Sequence, residues 1–306
     1  DATAPHVNIA TLTGHTDIVY CVVVHDDLVF SSGKENEIRV WDANTNTSLT
    51  TLSGHSNEIK TLAVVSGRYL FSGSADRTIR VWDIISRGIS GARTFALVHT
   101  IQTGQPSGSY VLSLVEGNGT VYSGGSKKDS GTIRAWSLNN YAQVATMTGH
   151  KKGVHTMTYS NNKLISASAD HTVRVWDGSN NTHLTTLTDH TDIVWTVIAH
   201  NNRIFSGSRD KSICVYDANT YALLRKIQTS HTADISSLRV SNTGKLFSAS
   251  ADKTIQVWAC GVRFRCVEDN GVAYRMSTSF SNRDQSKRGP DKGDVISAFE
   301  LPDGWL

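Results

Sequence analysis

The chain has few cysteines and almost no net charge, and both shortages limit what it can do. Its 306 residues include four cysteines, which fall in no metal-binding spacing. Cys21 and Cys214 lie inside apolar runs, so we expect buried thiols in a reducing compartment, the cytoplasm, with the nucleus as the alternative. The 30 basic and 27 acidic residues give a net charge of +3. That balance disfavours nucleic acid and a membrane surface as partners.

Long apolar runs, helical periodicity and catalytic motifs are also missing. No run of 18 apolar residues predicts a membrane span, no signal or transit peptide is recognisable, and no window has the apolar spacing of a helix. Thr243-Gly244-Lys245 lacks the earlier glycine that a phosphate-binding loop needs. In GQPSG (104–108) the serine comes one place too late for a nucleophile elbow. We therefore expect no enzyme activity, no cofactor and no metal ion.

The sequence does contain one pattern that recurs about every 40 residues, a period typical of a solenoid, a propeller or an array. A histidine is followed 26 or 27 residues later by an aromatic residue and, in most units, an aspartate. A sixth unit has no histidine and ends at Trp136-Ser137. The five complete units pair His15 with Trp41-Asp42, His55 with Trp82-Asp83, His150 with Trp176-Asp177, His190 with Tyr216-Asp217, and His231 with Trp258-Ala259.

Residues 54–83 illustrate what one unit contains. The runs IKTLAVV, RYLFSGS and TIRVWD are rich in β-branched and aromatic residues, and turn signals at Ser66-Gly67 and Ala75-Asp76-Arg77 separate them. A fourth short run follows in most units. Four antiparallel strands per unit predict an all-β fold made of propeller blades.

With these motifs the chain resembles the WD-repeat family over about residues 6–259. The resemblance implies that each blade holds a hydrogen-bonded chain of a histidine, a second-strand serine (Ser72 or Ser74 in the second unit), the turn aspartate and the third-strand tryptophan. Because this Ser-His-Asp set recurs in most units, we interpret it as structural and not as a protease site. The residues that match these blade-bracing positions are His55, Asp76, Trp82, His150, Asp170, Trp176, His190, Asp210, His231, Asp252 and Trp258.

Three units depart from this pattern. Glu35 replaces the aspartate in the first unit, and Tyr216 replaces the tryptophan in the fifth. The third unit has no histidine, and its turn at 126–131 is one residue longer. We expect these three blades to be held less tightly than the others.

The two ends of the repeat region predict how a ring would close. Residues 8–13 have the pattern of a fourth strand with no blade before it, whereas the last unit supplies only three strands. We expect the N-terminal strand to complete the last blade, so that residues 1–259 form six four-stranded blades without an exposed sheet edge. Seven blades are the alternative.

Residues 260–306 form a second predicted unit, since the repeat pattern stops after Trp258. The segment resembles a bacterial-type SH3-like barrel, and the chain ends within its last predicted strand. We therefore expect a small and incomplete β segment. The matching landmarks are Arg275, Gly293, Asp294, Gly304 and Trp305.

The WD-repeat resemblance also implies where partners bind. In such a propeller the Gly-His loop and the aspartate turn lie on one rim, and the innermost strand begins five residues after the histidine. Aromatic and basic residues at these positions are typical of a binding hot spot, and they favour acidic or phosphorylated peptides. The candidate partner-binding residues are Tyr20, Lys34, Lys60, His155, Trp195 and Arg209.

These patterns predict a non-catalytic scaffold or targeting module that binds proteins or peptides. We expect a monomeric propeller within a larger polypeptide. One alternative is the substrate-receptor or targeting propeller of a ubiquitin ligase or a kinase. An RNA-associated propeller is the other, and the near-neutral charge speaks against it. The insert at 84–97 predicts an exposed loop on the opposite rim.

Overall fold

A computed structural model of the protein describes residues 9–87, 93–126, 129, 131–259, and two strands at 262–265 and 295–298. Its regular elements are β-strands, and no α-helix occurs in the described residues, as the all-β prediction required. The same residues therefore include no helix that could cross a membrane.

The first half of the repeat region folds into three four-stranded antiparallel sheets, each built from consecutive strands. Sheet 1 holds β1 (Val19–His25), β2 (Leu28–Gly33), β3 (Glu37–Asp42) and β4 (Ser48–Ser53); sheet 2 holds β5 (Ile59–Val65), β6 (Tyr69–Ser74), β7 (Thr78–Asp83) and β8 (Ala96–Gln102); sheet 3 holds β9 (Val111–Gly117), β10 (Thr120–Gly125), β11 (Ile133–Ser137) and β12 (Gln143–Met147). The strand boundaries match the predicted division of each repeat.

The second half repeats this architecture, except that sheet 6 has three strands. Sheet 4 holds β13 (Val154–Ser160), β14 (Lys163–Ser168), β15 (Val173–Asp177) and β16 (His183–Leu187); sheet 5 holds β17 (Val194–His200), β18 (Arg203–Ser208), β19 (Ser212–Asp217) and β20 (Leu223–Gln228); sheet 6 holds β21 (Ile235–Val240), β22 (Lys245–Ser250) and β23 (Ile255–Ala259).

Tight asparagine turns set the register of the first two strands in several sheets. Asn201 and Asn202 join β17 to β18 with φ of 44° and 57°, a left-handed conformation that asparagine tolerates and that suits a two-residue hairpin. Asn161 and Asn162 do the same between β13 and β14, with φ of 48° and 56°. These turns fix the register along both hairpins.

Neighbouring sheets stack face to face and bury the hydrophobic core between them. Between sheets 1 and 2, Phe30 and Ile38 pack against Ile59, Leu70 and Trp82, which are all nearly inaccessible to solvent. Four further apolar clusters join the sheets that follow, pair by pair, as far as sheet 6. Each fully buried aliphatic side chain stabilises the stack by about 1.5–3 kcal/mol, so every sheet depends on its neighbours.

The outer faces of sheets 1 and 6 remain exposed. Val22 of β1 is 56% exposed, whereas Leu62, at the equivalent place in β5, is 5% exposed. Ile255 of β23 is 66% exposed, whereas its counterpart Ile213 in β19 is fully buried. Residues 9–13 lie outside any strand, and no described residue pairs with the free edge of β23. Closure of a ring by the N-terminal strand, and the number of blades, are therefore not confirmed.

Two other predicted segments are described only in part. Strands β24 (Val262–Arg265) and β25 (Val295–Ala298) pair antiparallel. The SH3-like landmarks lie outside the described residues, so that resemblance is not shown. In the insert between β7 and β8, Ile84 is buried and Phe95 packs edge-on against Phe30, with ring centroids 6.4 Å apart. Residues 88–92 lie outside the described part.

Candidate partner-binding rim

A chain of hydrogen bonds runs through sheet 2 at the end that carries the predicted rim. His55 contacts Asp76 Oδ2 through Nδ1 and Ser72 Oγ through Nε2, each over 2.7 Å. The indole N–H of Trp82 donates to the same Ser72 oxygen over 3.0 Å. Ser72 is therefore the serine of this chain, whereas Ser74 donates to a backbone carbonyl. Burial alone would raise the pKa of Asp76, but hydrogen bonds from His55 and Thr78 hold it far below its usual range.

The same geometry recurs in three of the later sheets, where each histidine side chain is almost fully buried. The histidine contacts with the aspartate and serine are His150 to Asp170 (2.9 Å) and Ser166 (2.8 Å), His190 to Asp210 (2.9 Å) and Ser206 (2.8 Å), and His231 to Asp252 (2.9 Å) and Ser248 (2.9 Å). Trp176 and Trp258 donate to the serines of sheets 4 and 6 over 2.9 Å each.

The first sheet forms this chain with a glutamate. His15 contacts Glu35 and Ser31 over 2.7 Å each, and Trp41 donates to Ser31 over 2.8 Å. Burial would raise the pKa of Glu35, but hydrogen bonds from Thr16 and His15 lower it to about 2. The longer side chain thus keeps the contact with His15, and the bonds of Ser31 to His15 and Trp41 are retained. Glu37 stands where sheet 2 has Thr78, and the two bonds that Thr78 donates to Asp76 have no counterpart at Glu35 among the described residues. The looser first blade stays a prediction.

The third and fifth sheets lack part of the chain. In sheet 5 the buried hydroxyl of Tyr216 makes no hydrogen bond with any described residue. In sheet 3, Gln105 stands where the other units have their histidine, and both polar atoms of its buried amide lack a partner among the described residues. Asp129 pairs instead with Arg134, over 3.1 Å through Nη2. The departures seen in sequence therefore have visible consequences in these two sheets.

The residues predicted at the start of the innermost strands, and their equivalents in sheets 3 and 6, share a backbone feature that the sequence did not reveal. Each is the extra residue of a β-bulge in the first strand of its sheet, left out of the pairing with the second strand. A bulge bends the strand and re-aims the side chain, and it is common beside functional sites. These bulge residues are Tyr20, Lys60, Leu112, His155, Trp195 and Ser236.

Backbone hydrogen bonds hold the aspartate turns next to these bulges. The N–H of Lys34 donates to the carbonyl of Ile18 over 2.8 Å, and the N–H of Arg209 donates to the carbonyl of Ile193 over 2.9 Å. Ile18 and Ile193 each come two residues before a bulge residue. These bonds place Lys34 beside the Tyr20 bulge and Arg209 beside the Trp195 bulge.

One group of rim side chains, here called the Lys60 cluster, spans sheets 1 to 3. The Lys60 ammonium lies 4.1 Å from the ring centroid of Tyr20 and 5.8 Å from that of Tyr110, and it forms an ion pair with Glu58. The Tyr20 hydroxyl donates to Glu58 over 3.3 Å. Beside it, Lys34 pairs with Asp17 over 3.0 Å. The cluster comprises Asp17, Tyr20, Lys34, Glu58, Lys60 and Tyr110.

A second group, the Trp195 cluster, spans sheets 4 to 6. The rings of His155 and Trp195 lie 4.4 Å apart, and the Trp195 indole N–H donates to Asp234 over 3.0 Å. Arg209 Nε is 3.9 Å from Asp234 and 3.7 Å from Asp192. Burial lowers the pKa of His155 to about 4, so this ring is neutral at physiological pH. His171 Nε2 lies 3.9 Å from Asp192 Oδ1. The cluster comprises His155, His171, Asp192, Trp195, Arg209 and Asp234.

Sequence reasoning named six cationic or aromatic residues of the two clusters but missed Tyr110, His171 and the carboxylates that pair with the cations. Glu58 and Asp234 each come two residues before a bulge residue, and Asp17 and Asp192 come three before one. Acidic residues at these offsets were the available signal. No group of three His, Cys, Asp or Glu side chains in the described ranges is arranged to hold a metal ion.

Stacked antiparallel sheets, five of the six with the recurrent serine–tryptophan bond and five with a histidine–carboxylate pair, define a WD-repeat β-propeller protein. The family profile described as "WD domain, G-beta repeat" matches residues 7–42, 46–83, 141–177, 181–217 and 223–259, more than half of the chain. The chain belongs to this family. Strands β9 to β11 of sheet 3 lie outside the matched segments, although the four strands of that sheet pair like those of sheets 1, 2, 4 and 5.

Several named proteins resemble parts of the chain. Kinesin-like protein KIF21B of Mus musculus is 27% identical over an alignment of 198 residues that covers 55% of this chain and 11% of that protein. Cell division control protein 4 of Saccharomyces cerevisiae is 41% identical over 75 residues, 24% of this chain and 10% of that protein. Ribosome biogenesis protein WDR12 homolog of Nematostella vectensis is 29% identical over 164 residues, 53% of this chain and 38% of that protein. The chain thus spans about a tenth of the first two relatives.

As a WD-repeat protein the chain is a protein-interaction module, of a class that is generally non-catalytic.

Proposed function

We propose that the rim formed by the Lys60 and Trp195 clusters binds a protein or peptide partner. The observation that carries this proposal is the set of bulges, which turn Tyr20, Lys60, His155 and Trp195 out of their strand ladders on the same rim. Tryptophan, tyrosine and arginine are the residues most often found at the centre of binding hot spots. Lys34 and Arg209 complete the predicted set.

We further propose that the module is a non-catalytic scaffold or targeting unit in a larger, monomeric and cytoplasmic protein. The small share of its first relatives that the chain covers supports a role as one part of a longer polypeptide. The nucleus is the alternative compartment. A ubiquitin-ligase or kinase targeting propeller is one form of this function. RNA binding is disfavoured, because each cation of the Lys60 cluster has a carboxylate partner.

We also propose that six blades close into a ring, with residues 8–13 completing sheet 6 and residues 260–306 forming a separate SH3-like segment. The free edge of β23 and the exposed Val22 and Ile255 support this closure, because their counterparts in neighbouring sheets are buried. Deleting residues 1–13 should lower the melting temperature. An unchanged melting temperature with a monomeric product would contradict closure by this segment.

Trp195→Ala tests the binding surface. Truncating a central aromatic anchor typically weakens binding by about 2 kcal/mol or more. Lys245→Ala is the control, since Lys245 is exposed at the start of β22, away from this rim. Wild type and both variants, each first shown to be folded, would be used to capture partners from a cell lysate. We expect Trp195→Ala to lose a partner that wild type and Lys245→Ala retain.

Equal recovery by all three proteins would contradict the rim assignment. The next surface to test would then be the groove of about 870 Å³ between sheets 1 and 2, which Leu49, Phe95 and Leu97 line beside the insert.

A further inference from the structure

The Trp195 cluster sets an aromatic ring beside two carboxylates on the rim. The hydrogen bond from the Trp195 indole to Asp234 orients the ring, and Asp192 lies across Arg209 from Asp234. The ring face of tryptophan attracts cations more strongly than those of tyrosine and phenylalanine, and nearby carboxylates add to that attraction. This surface therefore has the chemistry of a site for a positively charged group.

The only cation contacting both carboxylates, among the described residues, is the chain's own Arg209, and it is held loosely. Its Nε lies 3.7 and 3.9 Å from the two carboxylates, longer than a charge-assisted hydrogen bond. The Arg209 side chain is 54% exposed and that of Asp192 is 41% exposed. Ion pairs this open to water contribute little, so Arg209 can be displaced. The neutral His155 ring adds no charge that would repel an incoming cation.

The Lys60 cluster displays the same chemistry with its cation in place. There Lys60, itself a bulge residue, lies over the rings of Tyr20 and Tyr110 and pairs with Glu58. An aromatic ring and a carboxylate on this rim thus hold an ammonium group that the chain supplies itself. In the Trp195 cluster the bulge residue is the aromatic ring, and the cation position is open to a partner.

We propose that the Trp195 cluster binds an arginine or lysine side chain of a peptide partner, an inference that rests on the rim being the partner-binding surface. The partner's cation packs against Trp195 and replaces Arg209 between Asp192 and Asp234. This chemistry is the opposite of the acidic or phosphorylated peptide that the residue types alone favour. The difference arises because the carboxylates beside the rim cations were not part of the sequence pattern.

Selection from a random dodecapeptide library on the immobilised full chain tests both the cation site and the rim as the binding surface. We expect enrichment of peptides that contain arginine or lysine and that no longer bind Trp195→Ala. Enrichment of acidic peptides that depend on Trp195 would overturn the cation site and leave the rim as the binding surface. Selected peptides that bind Trp195→Ala as well as wild type would contradict the rim itself.

Affinities of one selected peptide provide a sharper test, because the two charge models predict opposite signs. Arg209→Ala should tighten binding severalfold, since it removes a competitor for the carboxylates, whereas a site for an acidic peptide would lose affinity. Asp234→Asn should weaken binding about tenfold or more, while its amide oxygen still accepts the Trp195 N–H. Asp26→Asn, at a side chain 68% exposed in the β1–β2 turn, is the matched control and should change nothing. Weaker binding by Arg209→Ala with no effect of Asp234→Asn would overturn the proposal.

Discussion

Sheets 2 and 3 are neighbours with the same strand order, yet they satisfy their buried polar groups in different ways. In sheet 2 the imidazole of His55 joins Asp76 to Ser72, so one ring satisfies a carboxylate and a hydroxyl together. In sheet 3 the serine, Ser123, still accepts the indole N–H of Trp136 over 2.8 Å. Gln105 reaches neither that serine nor the carboxylate, and its buried amide is left without partners among the described residues.

The third-strand arginine explains how sheet 3 tolerates the missing histidine. In sheet 2 the turn aspartate, Asp76, pairs with His55 and not with Arg80. In sheet 3 the equivalent arginine, Arg134, pairs with Asp129 through both terminal nitrogens. The buried carboxylate thus keeps a charged partner, and an unpaired buried carboxylate would be strongly destabilising. In both sheets the turn carboxylate is paired, although the identity of its partner differs.

The largest effect should come from removing the carboxylate in a sheet with the complete chain. Asp76→Ala leaves the buried His55 and Thr78 short of a partner, so we expect the free energy of unfolding to fall by about 1–3 kcal/mol. Asp170→Ala should behave alike in sheet 4. Urea unfolding measures the change, with Lys245→Ala as the exposed control, expected to stay within about 0.5 kcal/mol of wild type. Equal losses for the buried and exposed changes would remove the proposed bracing role.

A pH effect of intermediate size should follow from the histidine of sheet 5 and should have no counterpart in sheet 3. Burial lowers the pKa of His190, but hydrogen bonds to Asp210 and Cys214 raise it to about 9, above its ordinary 6.5. Its contribution to stability is therefore complete below about pH 6.5 and is lost as the pH rises through 9. Burial raises the pKa of Asp210, but its bonds to His190 and Ser212 keep it well below the ordinary value, so Asp210 stays ionised throughout this range.

Melting temperatures between pH 6.5 and pH 9 measure this loss. Asp210→Asn removes the charge that favours the protonated ring, so we expect this variant to start lower and to decline less over the same range. A decline of the same size in both proteins would place the titrating group elsewhere.

The sequence predicted the elements of this fold better than the contacts between them. Short β-branched runs, the turns at Ser66-Gly67 and the recurrent Trp-Asp pairs located the strands, because strand period and turn chemistry are local properties. Which carboxylate reaches which cation depends on how neighbouring sheets stack, so the bond from Trp195 to Asp234 was not foreseen. The bulges were not foreseen either, since a single extra residue leaves the apolar pattern nearly unchanged.

Glu35 and Gln105 show that the sequence pattern alone does not predict which side chains complete the hydrogen-bonded chain. Glu35 replaces the aspartate of the first unit, and Gln105 stands where the third unit lacks its histidine; from these missing residues we expected both blades to be held less tightly. In space, Glu35 reaches His15 with its extra methylene, whereas Gln105 cannot join Ser123 to Asp129 as an imidazole would. The length and shape of the side chain therefore determine whether the hydrogen-bonded chain forms.

The smallest expected effect comes from giving sheet 3 the residue it lacks. Gln105→His replaces an amide that has no partner among the described residues with a ring whose Nε2 can contact Ser123. Asp129 stays with Arg134, so we expect one new hydrogen bond. We expect a gain of about 0.5–1.5 kcal/mol in the free energy of unfolding. Gln105→Leu is the matched control, because it removes the amide without adding a bond. A gain with histidine but not with leucine would show that sheet 3 is weakened by the missing hydrogen bond. Equal gains would show that burying the amide of Gln105 is what destabilises the sheet. Losses in both variants would mean that Gln105 already suits its site.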